Sequence, residues 1–291
     1  MARQPFRSLA LASGILFGLA TPASKVLVGD LGPYALAGLL YLGAALAMLP
    51  AIRGKPLRPA GMDRQRLAGA IVFGGIGGPL LLLLGLQAAR ASSVSVWLNL
   101  ELVWTAVLGV LLFHERSSKW SWIAVAFVVA ASVAVGWTDS LAGLLPGSLV
   151  AAACLCWGLD NHWTAQIKSI PASAMTFWKG LVGGTVNLAI GLLLGATLAP
   201  SQGLAGLAIG TVCYGVSITL YIISARSIGA TRAQVLFSTA PLWGVLAAVA
   251  LLGEPWTWRL SVAAGLVGLA VASLAMDSRR TASSQEQRSP E

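Results

Sequence analysis

Apolar stretches of about 18 to 23 residues, nearly free of charge, recur about ten times along this chain, and no other feature limits its fold so strongly. At 1.5 Å per residue, each makes a helix long enough to cross a hydrocarbon layer of about 30 Å. In lipid every backbone N–H and C=O must find a partner inside the protein, which leaves helices or closed barrels. The runs are continuous rather than alternating stretches of about ten residues, so helices are expected. Composition agrees: 57% of the 291 residues are hydrophobic and 10% are charged, with a mean hydropathy of +0.80, beyond the range of ordinary soluble domains. The expected fold class is an all-α integral membrane protein with ten transmembrane helices.

The expected spans are residues 8–28, 34–52, 67–88, 91–113, 119–137, 147–168, 173–195, 204–224, 230–252 and 257–276. A net charge of +9 would suit a nucleic-acid binder, but the basic residues lie mostly between spans. With the N-terminus inside, all but Lys25, Arg90, Lys179 and Arg259 of the 19 Lys and Arg residues fall on the cytoplasmic side, so the positive-inside rule selects cytoplasmic N- and C-termini in a cytoplasmic membrane. Arg3, Arg7 and the apolar run that follows also resemble a signal peptide, with Ala20-Thr21-Pro22-Ala23 as a cleavage site. The segment has a counterpart later in the chain, however, which favours a retained helix. Cys154, Cys156 and Cys213 all lie within spans and define no disulfide framework. The polar stretch 277–291 is expected to be a disordered tail.

Shifting the chain by about 139 residues brings Ala91, Ser92, Trp104, Val110, Leu112 and Glu115 onto Ala230, Thr231, Trp243, Val249, Leu251 and Glu254. Phe17-Gly18-Leu19 likewise falls on Trp157-Gly158-Leu159, and Trp120 and Trp122 fall on Trp256 and Trp258 once a three-residue length difference is allowed after the Glu. Two units follow, residues 1–138 and 139–276, each with five spans. Five is odd, so the second unit enters the membrane from the opposite side, and the two are inverted repeats. Such symmetry suits alternating access, because two nearly equivalent packings can expose one central site to either face.

On these residues the chain resembles the EamA family of the drug/metabolite transporter superfamily. The resemblance rests on the paired signatures Leu-Leu-Phe-His-Glu115 and Leu-Leu-Gly-Glu254-Pro255, on Trp157-Gly158 opening the second copy, and on Ala91-Ser92 and Ala230-Thr231 before the fourth and ninth spans. It implies a ten-helix fold, a substrate cavity lined by the first four helices of each copy, and transport without ATP hydrolysis. One departure concerns the fourth span, where Glu101 stands opposite Pro241 of the other copy and the resemblance would place proline.

Five ionisable groups lie within spans: Lys25, Glu101, Asp160, His162 and Lys179. Each costs at least about 2.5 kcal/mol on insertion scales, so each needs a partner, a wet cavity or a function. Asp160 and Lys179 lie about 12 and 10 Å from the inner ends of adjoining spans and are placed to pair, either as a structural pin or with Asp160 as a coupling carboxylate. Glu101 sits near mid-membrane, as a proton site, a counter-charge for a cationic solute, a hydrogen-bonded structural group or an ion-pair partner of Lys25 or Lys179. Trp97, Trp104 and Thr105 flank Glu101 at helical spacing, and Trp157, Trp163 and Thr164 flank Asp160. Aromatic faces around a carboxylate suit an organic cation, although packing or lipid contact accounts for the tryptophans equally well. His162 is a packing residue or a proton relay, Lys25 is expected to snorkel to the interface, and Glu115 and Glu254 to cap helices or gate.

Helix breaks are expected at Pro22, at Gly74–Pro79, which includes Gly78 and Pro79, and at Pro241. These segments would line the cavity. Gly180, Gly183, Gly184 and Asn187 share one helix face, which signals close packing. Trp120, Trp122, Trp137, Trp256 and Trp258 lie at span ends as interface anchors. The leading functional expectation is a secondary transporter of a small organic solute, driven outward by proton exchange. No GxxxxGK[ST] loop, nucleophile and base pair or HExxH motif is present, so neither ATP drive nor an enzyme is expected, and no cofactor, metal centre or nucleic-acid partner. A metal cation exporter and a non-transporting receptor or assembly protein are the alternatives.

Overall fold

The computed structural model describes residues 4–113, 118–136, 144–228, 233 and 236–286. Among these, every regular element is a helix. Glu115, Trp137, Ala230 and Thr231 lie outside the described residues.

The first two helices, α1 (Gln4–Gly18) and α2 (Ala20–Ile52), meet at Leu19. Backbone bonds from Leu19 to Ile15 and from Ala23 to Leu19, each 3.2 Å, carry the ladder across, but Pro22 has no N–H to give the Gly18 carbonyl. The long α2 is itself broken at Gly32, whose φ of 71° and ψ of 161° leave the helical region before Pro33. Glycine reaches that conformation without steric cost, and the break separates the first expected span from the second.

Beyond the loop, α3 (Asp63–Gly69) passes through a π-helical stretch, Ala70–Gly77, into α4 (Gly78–Ala88). The wide turn follows from the Gly-rich sequence and from Pro79, which cannot donate to a carbonyl in the preceding turn. Next come α5 (Ala91–Trp97) and α6 (Leu100–Leu111), parted by a turn at Leu98 and Asn99, then α7 (Lys119–Gly136) and α8 (Leu144–Gln166). The helix α9 (Ala172–Trp178) continues through π-helical Lys179–Gly183 into α10 (Gly184–Leu193), and α11 (Pro200–Ile209) through π-helical Gly210–Val216 into α12 (Ser217–Ile228). The described chain closes with α13 (Ala240–Leu252) and α14 (Trp258–Glu286).

Five of these helical stretches are long and apolar enough to cross a membrane, and exposed Leu193, Leu204 and Leu251 on outer faces suit lipid rather than water. The chain is a multi-pass membrane protein. Its core gathers around α2, where Leu36, Leu40 and Tyr41 meet Leu83 and Leu86 of α4, Val94 of α5 and Ala153 of α8. On one flank α7 packs along α14 through Ala124, Val128 and Ala270.

The repeat recurs in the irregularities. The π-helical stretches 70–77 and 210–216 fall on one another under the repeat shift, and the turn at 98–99 falls on a turn at 238–239. Glu101 and Pro241 each take the second position of the helix that resumes after the turn. One expectation is corrected at the C-terminal end: α14 runs on to Glu286 through the first ten residues of the segment expected to be disordered. No glycine or proline interrupts residues 277–286, so nothing in that stretch stops the helix.

Candidate functional site

Three of the interruptions converge. The α1–α2 junction, the turn at Leu98 and Asn99, and the turn before α13 surround a cavity lined by Phe17, Thr21, Ser95, Asn99, Glu101, Ser238 and Pro241, among others. Small residues allow the approach. A side chain on Gly18 would strike the Ala240 carbonyl, and one on Gly244 would strike Ser95, so α1, α5 and α13 touch nearly backbone to backbone. The space within it is about 20 Å³, room for about one water molecule and far too little for an organic solute. In this conformation the site has no room for a solute.

Glu101 is the acidic group on this cavity, and it is buried in the first turn of α6. Asn161 of α8 donates its side-chain amide to Glu101 Oε1 at 2.6 Å. Ser95 Oγ, fully buried on the same wall, has no hydrogen-bond partner among the described residues. Phe17 supplies an aromatic wall, with its ring 5.3 Å from Phe237, 5.6 Å from Tyr214 and 6.1 Å from Trp157. At the turn the Leu98 carbonyl accepts from the Glu101 amide at 3.1 Å, and the Cys154 thiol donates to the Trp97 and Leu98 carbonyls at 3.7 Å each.

The tryptophans expected around the two carboxyls have the following partners. Trp97 is buried and donates its indole N–H to the Ser132 carbonyl at 3.2 Å, and Trp104 packs partly buried against the core. Trp157 supports the cavity from behind through Phe17 while donating to the Gly74 carbonyl at 3.3 Å. His162 turns back on its own helix, with Nδ1 2.9 Å from the Gly158 carbonyl and its ring stacked on Phe113 at 4.3 Å. Among the described residues no three His, Cys, Asp or Glu side chains gather as a metal site.

Asp160 and Lys179 form a buried salt bridge. Thr164 donates to the other Asp160 oxygen at 3.0 Å, and the carboxylate packs against Gly74, where any side chain would collide with it. This is the junction of two π-helical stretches. Pro79 withholds one N–H from the ladder here, and side chains donate to the carbonyls of residues 74–76: Tyr41 to Gly74 at 2.5 Å, and Asn187 to Gly75 and Ile76 at 3.4 Å each. Gly183 lies directly on the Gly75 backbone, as the shared glycine face of Gly180, Gly183 and Gly184 anticipates. Gly78 packs on the Trp157 indole, so Gly78 and Pro79 belong to this junction, whereas Pro22 belongs to the interrupted first helix and Pro241 to the cavity wall.

Two further expectations are revised. Lys25 does not snorkel freely: its ammonium donates to the Leu86 and Ala89 carbonyls at 2.7 Å each, because the last carbonyls of α4 lack helical partners and a cation satisfies them. Glu254 is a cap, but not of the helix that follows it. Its carboxylate accepts from the Ala91 and Ser92 amides at 2.8 and 3.0 Å, at the start of α5.

Comparison with known proteins agrees with this architecture. A family model described as the EamA-like transporter family matches the chain twice, over residues 7–137 and 145–276. A protein of Methanothermobacter thermautotrophicus described as an uncharacterized transporter is 26% identical over 284 residues, spanning 89% of this chain and 81% of its own. A solved structure described only as the crystal structure of a protein superposes with a TM-score of 0.74 at 16% identity, over 95% of this chain and 97% of that one, a likeness of fold alone.

Proposed function

Because the chain belongs to the EamA-like transporter family, we propose that it is a secondary transporter, not an enzyme, carrying a small amine-bearing organic solute outward through the cytoplasmic membrane in exchange for protons. The observation that carries this reading is Glu101: a buried carboxyl that accepts a hydrogen bond from a neutral amide, on the wall of a small cavity where three helix breaks meet. A carboxyl without a paired cation can take up and release a proton, or give its charge to a cationic solute, as its surroundings change. Phe17 offers such a cation an aromatic face, and the unpartnered Ser95 hydroxyl offers a hydrogen bond.

In this reading the chain crosses the membrane ten times as two inverted units, residues 1–138 and 139–276, with both termini cytoplasmic as the basic loops favour. The breaks at Leu19, Leu98–Asn99 and Ser238–Thr239 serve as hinges that widen the cavity toward one face at a time. Asp160 and Lys179 act as a fixed pin between α8 and the π-helical stretch of 179–183; both are satisfied within the bundle, and neither is a lining residue of the cavity.

The test is a panel of organic amines offered to proteoliposomes carrying an imposed pH gradient, with wild type beside Glu101→Gln. The reading expects gradient-driven accumulation of at least one amine by wild type and its loss in the variant. Equal accumulation by both proteins would overturn the assignment of Glu101.

A further inference from the structure

Charged contacts tie down both ends of the α3–α4 helix. At the far end, the turn between α4 and α5 is gripped from both sides. Lys25 of α2 donates to the Leu86 and Ala89 carbonyls at 2.7 Å and reaches Gln87 at 3.4 Å. Glu254, just beyond α13, accepts from the Ala91 and Ser92 amides at 2.8 and 3.0 Å. A cation thus takes the carbonyls that end one helix, and an anion takes the amides that begin the next.

The same arrangement recurs at the near end of that helix, on the loop between α8 and α9. Arg226 of α12 donates to the Ile167 and Ile170 carbonyls at 2.8 and 3.2 Å. Asp63, the first residue of α3, accepts from the Lys168 and Ser169 amides at 3.1 Å each and from the Ser169 hydroxyl at 2.8 Å. The stretch from Asp63 to Ala88 is 26 residues long, about 39 Å at helical rise, so the two grips stand on opposite faces of the membrane. Each draws its cation and its anion from different helices, and the first ties together α2, α5 and the end of α13, which carry cavity residues. Both are made in one structure, and in that structure the cavity is too small for a solute.

We propose that these are the two gates of the transporter: Lys25 with Glu254 latches the 88–91 turn on one face, Asp63 with Arg226 latches the 167–170 loop on the other, and access to the cavity opens on the face whose latch is released. The α3–α4 helix carries one latch at each end and the π-helical stretch 70–77 between them, the place where a helix changes its winding most readily. A bend there frees one end while the other stays held. This inference rests on the transporter reading, yet it concerns access alone and needs no knowledge of the solute.

The test uses the full-length chain with Cys154, Cys156 and Cys213 replaced by alanine and Ser95→Cys as a reporter on the cavity wall. A membrane-impermeant maleimide is added to one face at a time. Glu254→Gln and Lys25→Met should each raise the labelling rate about tenfold or more from the face of the 88–91 turn, and not from the other, as expected for loss of a charge-assisted contact. Asp63→Asn and Arg226→Met should do the reverse. If one variant of a latch fails to reach the membrane, the other variant of the same latch reports on it. Unchanged labelling, or equal acceleration from both faces, overturns the latches while leaving the transporter reading intact. One-sided acceleration in a protein that moves none of the amines supports the latches and counts against that reading.

Discussion

Glu101 and Asp160 are both carboxyl groups withdrawn from water in the middle of the bundle, and they keep different company. Asp160 has a lysine, a threonine hydroxyl and the tightly packed Gly74 around it. Glu101 has a side-chain amide on one oxygen and a cavity beside it. The difference separates two uses of buried charge. A paired charge is costly to bury but fixed once paired; one that faces a cavity without a cation is free to change its proton or its partner. Adjacent residues of α8, Asp160 and Asn161, serve one of these carboxyls each.

The largest effect should come from breaking the pair on one side. Lys179→Ala leaves an uncompensated carboxylate in the core and should cost about 3 to 5 kcal/mol, read as loss of monodisperse protein after mild detergent extraction. Replacing both partners, Asp160→Asn with Lys179→Met, should recover most of that loss, because no charge is left to bury. Next in size is Gly183→Val, which drives a side chain into the Gly75 backbone and should cost about 1 to 3 kcal/mol by overpacking, checked by thermal denaturation in detergent. Glu101→Gln keeps an acceptor for Asn161 and should leave that denaturation unchanged, while gradient-driven flux falls at least about tenfold, or ~1.4 kcal/mol. The smallest effect belongs to Tyr41→Phe, which removes one donor from the Gly74 carbonyl and should cost about 1 kcal/mol with flux preserved. Were Tyr41→Phe to abolish flux and Glu101→Gln to spare it, the division between junction and cavity would have to be redrawn.

Much of the frame was legible in the sequence, because lipid imposes few solutions. Runs of about twenty apolar residues are read directly as helices, prolines and glycines mark where ladders lose donors, and spacing alone put Asp160 within reach of Lys179. The glycine face around Gly183 was equally plain. The walls of the cavity were not. Phe17, Ser95 and Phe237 come from three helices far apart in the chain, and nothing local to any of them announces a shared space. Helical spacing around Glu101 pointed to Trp97 and Trp104; the turn at Leu98 and Asn99 parts Trp97 from Glu101, so the i−4 count does not hold across it, whereas Trp104 stays on the same helix α6. Asn161 was hidden behind its charged neighbour. Capping by Glu254 was foreseeable from its place at a helix end, whereas the identity of the capped helix depended on packing between the two halves.

The comparison of the two carboxyls is tested most directly by measuring gradient-driven flux of one transported amine for two variants side by side: Glu101→Gln, and Asp160→Asn combined with Lys179→Met. The account predicts that the neutralised pair still moves the solute at a rate near wild type and that Glu101→Gln does not. Flux retained by Glu101→Gln and lost by the neutralised pair would contradict it, and would transfer the working charge from the cavity wall to the helix junction.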